Sequence, residues 1–195
     1  MITRRSALSG LVALPLVPSV LGERLIPWET RLIVAARSQI GITRSYDPAY
    51  VSLAYPNGDV PRERGVCTDV VVRAFDLQSA VHDDMAAAFN AYPKIWGLTR
   101  PDRNIDHRRV PNLETYFRRQ ETEEAVPAAL SEWQAGDLYT MRLNGRLPHI
   151  GIVSDKVTPT GHRYVIHNIG AGTAEDDILG LFDDERRFRF EPPIL

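Results

Sequence analysis

The chain has 195 residues, 44% of them apolar and 25% charged, with a net charge of −2. That length and composition suit one soluble globular domain with a real core. The arginine pairs Arg108-Arg109 and Arg186-Arg187 are interleaved with acids, which argues against a phosphate-binding track and so against a nucleic-acid partner.

The first residues read MITRRSALSGLVALPLVPSVLG. Arg4 and Arg5 form a positive start, and the apolar run from Leu8 to Leu21 falls short of the ~20 residues a spanning helix needs. Val20 and Gly22 suit a small-residue cleavage site. Residues 1–22 are therefore expected to be a cleaved, twin-arginine-like export signal, with an uncleaved anchor as the alternative. No cysteine lies near the cut, which excludes a lipoprotein. The mature domain, residues 23–195, is expected to be periplasmic or secreted, with no stable membrane insertion.

Residues 28–40 read as an amphipathic helix, opened after Pro27 and stopped at Gly41. Residues 43–65, rich in Pro, Gly, Asp and Tyr, read as a long loop. Apolar residues at 70, 71, 74 and 75 fit one face of a helix over 68–77, although three consecutive valines also suit a strand. A helix over 79–91 would bury Val81, Met85, Ala88 and Phe89. Residues 93–110 return to loop, and a short helix spans about 111–120. The last third is rich in β-formers: strands are expected over 137–143, 150–154 and 164–169, with a further one near 186–190. Asn144-Gly145 and Thr158 to Gly161 are turn signals between them. Helices followed by an antiparallel meander argue an α+β fold, with N-terminal helices packed on a C-terminal sheet.

Cys67 is the only cysteine, so no internal disulfide can form. A lone thiol is often simply buried. This one falls where a Gly65-containing loop meets a helix start, and free N–H groups there favour a thiolate. Its own N–H could face an oxyanion. Thr68 and Asp69 suit capping of the first turn.

A thiol nucleophile needs a base, usually histidine. Of five histidines, His149 and His167 fall on expected strands. A hairpin closed around Thr158 pairs residues whose numbers sum to about 316, which would set His149 opposite His167 on one face. Two ordinary sheet histidines would account for either alone. Together with Cys67 they suggest His149 as base and His167 as the group that orients it, ahead of Asn168. His82 reads as part of a solvated helix face, and His162 lies in a turn.

The stretch 101–109 is dense in polar groups. Arg108 or Arg109 could bind a carboxylate-bearing substrate, with Asp106 a further candidate there; internal ion pairs could equally lock the loop. No HExxH motif or cysteine pair exists, and Asp106-His107 alone is too little for a metal. No cofactor is expected.

The strings RGVCTDVVVRAF, VHDDM, WGLTRPDRNIDHRRVPNLETYF, WQAGDLYTMRL, PHIGIVSD and VIHNIGAG resemble a bacterial family, domain of unknown function 1287, over about residues 28–191. That family is in turn similar to the NlpC/p60 superfamily of papain-like cysteine hydrolases. The resemblance implies Cys67 as nucleophile, His149 at the head of an HVGI-like strand, and His167 as third member. It also implies an upstream tyrosine at the oxyanion hole, for which Tyr55 is the match. Where such enzymes usually read Asp-Cys-Ser-Gly, this chain reads Val66-Cys67-Thr68-Asp69. The implied activity is cleavage of an amide, such as one in the peptide stem of the bacterial cell wall, through a thioester. Two other expectations stand beside it: an acyltransferase on the same fold, and a non-catalytic cell-wall-binding module.

Overall fold

The structure is a computed structural model that describes residues 26–89 and 94–192. The expected signal segment lies outside the described residues. Among those described there are four α-helices and a six-stranded antiparallel sheet, an α+β fold. No helix among them is long and apolar enough to cross a membrane.

Helix α1 (Trp28–Arg37) opens after Pro27 and buries Leu32, Ile33 and Ala36. It stops earlier than the sequence suggests, in turns before Gly41, whose φ is +78°. The segment 43–65 is not wholly loop: β1 (Ser45–Tyr46) pairs in parallel with β2 (Arg64–Gly65). Helix α2 (Cys67–Phe75) follows, so the three valines are helical. The cap decides it: the Asp69 carboxylate accepts the Val66 N–H at 2.7 Å, and Val70, Val71 and Phe75 bury one stripe. Helix α3 (Gln78–Phe89) buries Val81, Met85 and Ala88 as expected. It also buries His82, which is only 5% exposed, so the solvated-face reading of that histidine is wrong. The 101–109 loop, with a 3-10 turn at Asp106–Arg108, folds over it and leads into α4 (Val110–Arg119).

Strand β3 (Glu123–Glu124) precedes the meander of β4 (Leu138–Leu143), β5 (Leu147–Val157), β6 (Arg163–Asn168) and β7 (Thr173–Asp176). Strand β8 (Asp183–Phe188) returns to the far side of β4, giving the order β3-β8-β4-β5-β6-β7. The β4–β5 connection has Asn144 and Gly145 at φ +51° and +69°, as an Asn-Gly turn requires. The two-residue β3 and the short β7 carry no apolar alternation, and the sequence showed no signal for them.

Strand alternation divides the core. Leu138, Ile150, Ile152, Ile166 and Phe188 face the helices, together with Cys67, Val70 and Leu113. Tyr139, Met141, Val153 and Val165 face the other way, under Trp133, Ile178 and Leu179. A sheet covered on both faces reads as near-continuous apolar runs, as these strands do.

Register is the main correction. Ile152 pairs with Ile166 and Val153 with Val165, so β5–β6 partners on the histidine side sum to 318 rather than 316, and beyond a register shift Val157 pairs with Arg163. His149 and His167 are diagonal neighbours, with Gly151 at the level of His167. A shift of two keeps every side chain on its expected face.

Candidate active site

Cys67 is the first residue of α2 and is 3% exposed. The backbone N–H groups of Ile150, Thr68 and Cys67 itself act on Sγ and favour the thiolate. The β5–β6 pairing begins at Ile152, so Ile150 lies on β5 outside it. A strand N–H points in the plane of the sheet. The thiol therefore meets β5 edge-on, beside the residue that follows His149.

Burial outweighs those amides and pushes the Cys67 thiol up to about 11. The helix start does favour the anion, but desolvation dominates, and the resting group is a thiol. This corrects the expectation of a preformed thiolate. Tyr46 lines the same cleft as Cys67; burial, then the neighbouring sulfur, pushes its pKa up to about 12. The pairing Tyr46↔Gly65 puts this tyrosine two residues short of the nucleophile in space. Two-residue strands leave no periodic trace, so Tyr46 was not legible in advance. Tyr55 lies elsewhere: its hydroxyl donates to Asp83 at 2.6 Å and its ring meets His82 edge-on.

His149 is 2% exposed, and its Nε2 lies 3.0 Å from His167 Nδ1. His167 Nε2 is 3.2 Å from Asp176 Oδ2, in ion-pair range though outside hydrogen-bond angles. Asp176 favours a proton on that Nε2, which leaves Nδ1 of His167 as acceptor. His149 then donates from Nε2, and its Nδ1 keeps the lone pair. The bond to His167 uses only Nε2 of His149, so Nδ1 lies outside that pair. Burial, then the His167 ring, holds His149 down at about 3; burial lowers His167 as well, against the pull of Asp176. Both rings are neutral at rest.

The 101–109 loop resolves into structural and open groups. Arg108 clamps Asp69 with two bonds, 2.8 and 2.9 Å, and reaches the carbonyls of Asp47 and Ala49. Both side chains are nearly inaccessible, 1% and 4% exposed, so the Arg108 guanidinium is engaged at the helix start although the residue borders the cleft. Asp106 is buried and accepts the Asp102 N–H at 2.5 Å, so it too serves the loop. Arg109 is different: its side chain is 48% exposed and lines a cleft of about 610 Å³ with Cys67, Tyr46 and Trp96. A second histidine pair, His82 Nε2 to His107 Nδ1 at 2.9 Å, ties α3 to this loop. No cluster of three or more metal-ligating side chains occurs among the described residues.

A family model described as "Domain of unknown function (DUF1287)" matches residues 33–190. The chain is also 54% identical over 172 residues to the Escherichia coli (strain K12) protein named "Uncharacterized protein YijF", covering 85% of this chain and 83% of that one. The aligned span takes in Cys67, His149 and His167 alike, and the chain belongs to the DUF1287 family.

Proposed function

We propose that this domain is an NlpC/p60-like, papain-type cysteine hydrolase that cleaves an amide bond. The observation that carries the reading is the bonded pair His149–His167, in which His149, with Nδ1 outside that bond, immediately precedes the Ile150 amide that acts on Cys67 Sγ. Because thiol and imidazole are both neutral at rest, proton transfer accompanies attack and does not precede it. Sγ bonds to the amide carbon as His149 Nδ1 takes its proton. The oxyanion faces the Cys67 N–H and the Tyr46 hydroxyl. The C–N bond breaks as His149 returns the proton to the leaving amine, and water then hydrolyses the thioester. His167 holds the imidazole, and Asp176 holds the His167 tautomer.

The proposed substrate is a peptide amide of the bacterial cell wall, met outside the cytoplasm. Mass spectrometry of cell-wall fragments incubated with the protein and with Cys67→Ala tests it. New fragments from the first alone are expected; identical spectra would remove the cell-wall substrate. Export is tested by replacing Arg4 and Arg5 with Lys, which should block twin-arginine transport and spare a general secretory route.

A mostly apolar cleft favours a second reading, acyl transfer to an amine, because it shelters a thioester from water. Labelled amine acceptors appearing in product would favour transfer. A non-catalytic wall-binding module predicts binding to wall fragments with no turnover.

A further inference from the structure

The cleft beside Cys67 is walled by Pro48, Val66, Leu98, Val110 and Pro148, among others. Besides Cys67 and Tyr46, its polar lining is Arg108, Asn112, Arg109 and the indole of Trp96. Arg108 is engaged by Asp69, and the Asn112 amide donates to the Asp106 carbonyl, which leaves two groups to account for. One is Arg109, whose nearest carboxylate, Asp106, is 3.8 Å away and already accepts the Asp102 N–H. The other is Trp96, which is 5% exposed and lines the same cleft. Its buried indole N–H has no acceptor among the described residues. A buried donor without a partner is costly, and native structures keep few of them.

Both groups are donors only: a guanidinium and an indole N–H have nothing to accept with. The ligand that satisfies them must supply acceptors, and a carboxylate supplies nothing else. Arginine's planar fork matches its two oxygens. Apolar walls around one such anchor suit an organic acid with an apolar body better than a heavily hydrated polyanion. The adjacent arginine does not compete, because Arg108 is held by Asp69.

We propose that Arg109 and the indole N–H of Trp96 form a carboxylate subsite, so that the substrate joins an apolar body to a carboxylate near the scissile amide. The inference rests on reading this cleft as the substrate site of Cys67, and it names the substrate's chemical class.

The test is a titration of the ¹⁵N-labelled chain with hexanoate, following the indole N–H resonances of its three tryptophans. Trp96→Phe assigns the Trp96 signal. Hexanoate should move that signal saturably, and hexanamide, which lacks the charge, should not. Arg109→Gln should weaken the hexanoate response about tenfold, and Arg109→Lys should keep part of it. Arg109 is exposed enough that both variants keep the fold. A Trp96 signal that does not move, or moves equally with hexanamide or in Arg109→Gln, would overturn the subsite. Cys67→Ala should leave the response intact, which separates binding from chemistry. An inert Cys67 with an intact hexanoate response would support the subsite and overturn the hydrolase reading instead.

Discussion

His149 and His167 meet Nε2 to Nδ1 at 3.0 Å although they are not cross-strand partners. The level of His167 on β5 is taken by Gly151, where an added Cβ would lie 2.4 Å from Val165 Cγ1 and 3.1 Å from His167 Cβ. The missing side chain lets the two rings meet on the diagonal, nearly perpendicular at 89°.

That relationship sets the order of effects among the three groups. His149→Ala removes the base and should lower turnover by ~10²–10⁴-fold. His167→Ala should cost less, because it removes only the group that orients the ring. Asp176→Asn should cost least, with KM kept. Steady-state kinetics on a cleaved wall fragment would check the series, and equal losses in all three variants would discard the assigned roles.

The thiol makes a second prediction. In the free protein, iodoacetamide alkylation of Cys67 should climb with pH past the free-cysteine value of ~8.5, toward the value of about 11 that burial imposes. A rate already saturated at neutral pH would show a preformed thiolate and contradict the neutral resting pair.

Arg108 and Asp69 predict a stability effect. Arg108→Ala leaves a buried carboxylate unpaired, which costs ~3–5 kcal/mol. Asp69→Asn in the same chain should restore part of the loss. Chemical denaturation reads both; an Arg108→Ala protein as stable as the parent would refute the clamp.

Stability should also be bounded on both sides in pH. The folded-state values of His149 and His107, about 3 and about 4, lie below the unfolded value of ~6.5, chiefly through burial. Their stabilisation is full above ~6.5 and is lost as pH falls toward the folded values, because the unfolded chain binds more protons. Cys67 has the opposite sign. Its folded value is raised, so its contribution is full below ~8.5 and is lost as pH rises toward about 11. Melting temperature should therefore peak between ~6.5 and ~8.5. A melting temperature that does not fall between pH 7 and pH 4 would count against buried neutral histidines.

Much of this was legible in the chain. Apolar spacing and turn residues indicate the four helices of the described residues and the strands β4, β5, β6 and β8, because a buried face leaves a period in the sequence. The lone Cys67 at a loop–helix junction and the even separation of 18 residues between His149 and His167 bring those three residues forward from the sequence. Strand parity survives an error of two in register, which is why His149 and His167 could be paired from a sum that was wrong. Contacts without a period needed the tertiary structure. Tyr46 comes to the thiol through a two-residue parallel pairing, while Tyr55, equally plausible in sequence, is drawn off to Asp83. Arg108 and Arg109 are adjacent and alike in charge, yet the 3-10 turn buries one side chain against Asp69 and leaves the other half-exposed at the cleft. The balance at Cys67 is likewise tertiary: a helix start is local and favours the thiolate, but desolvation depends on everything packed around the sulfur, and here it outweighs the helix.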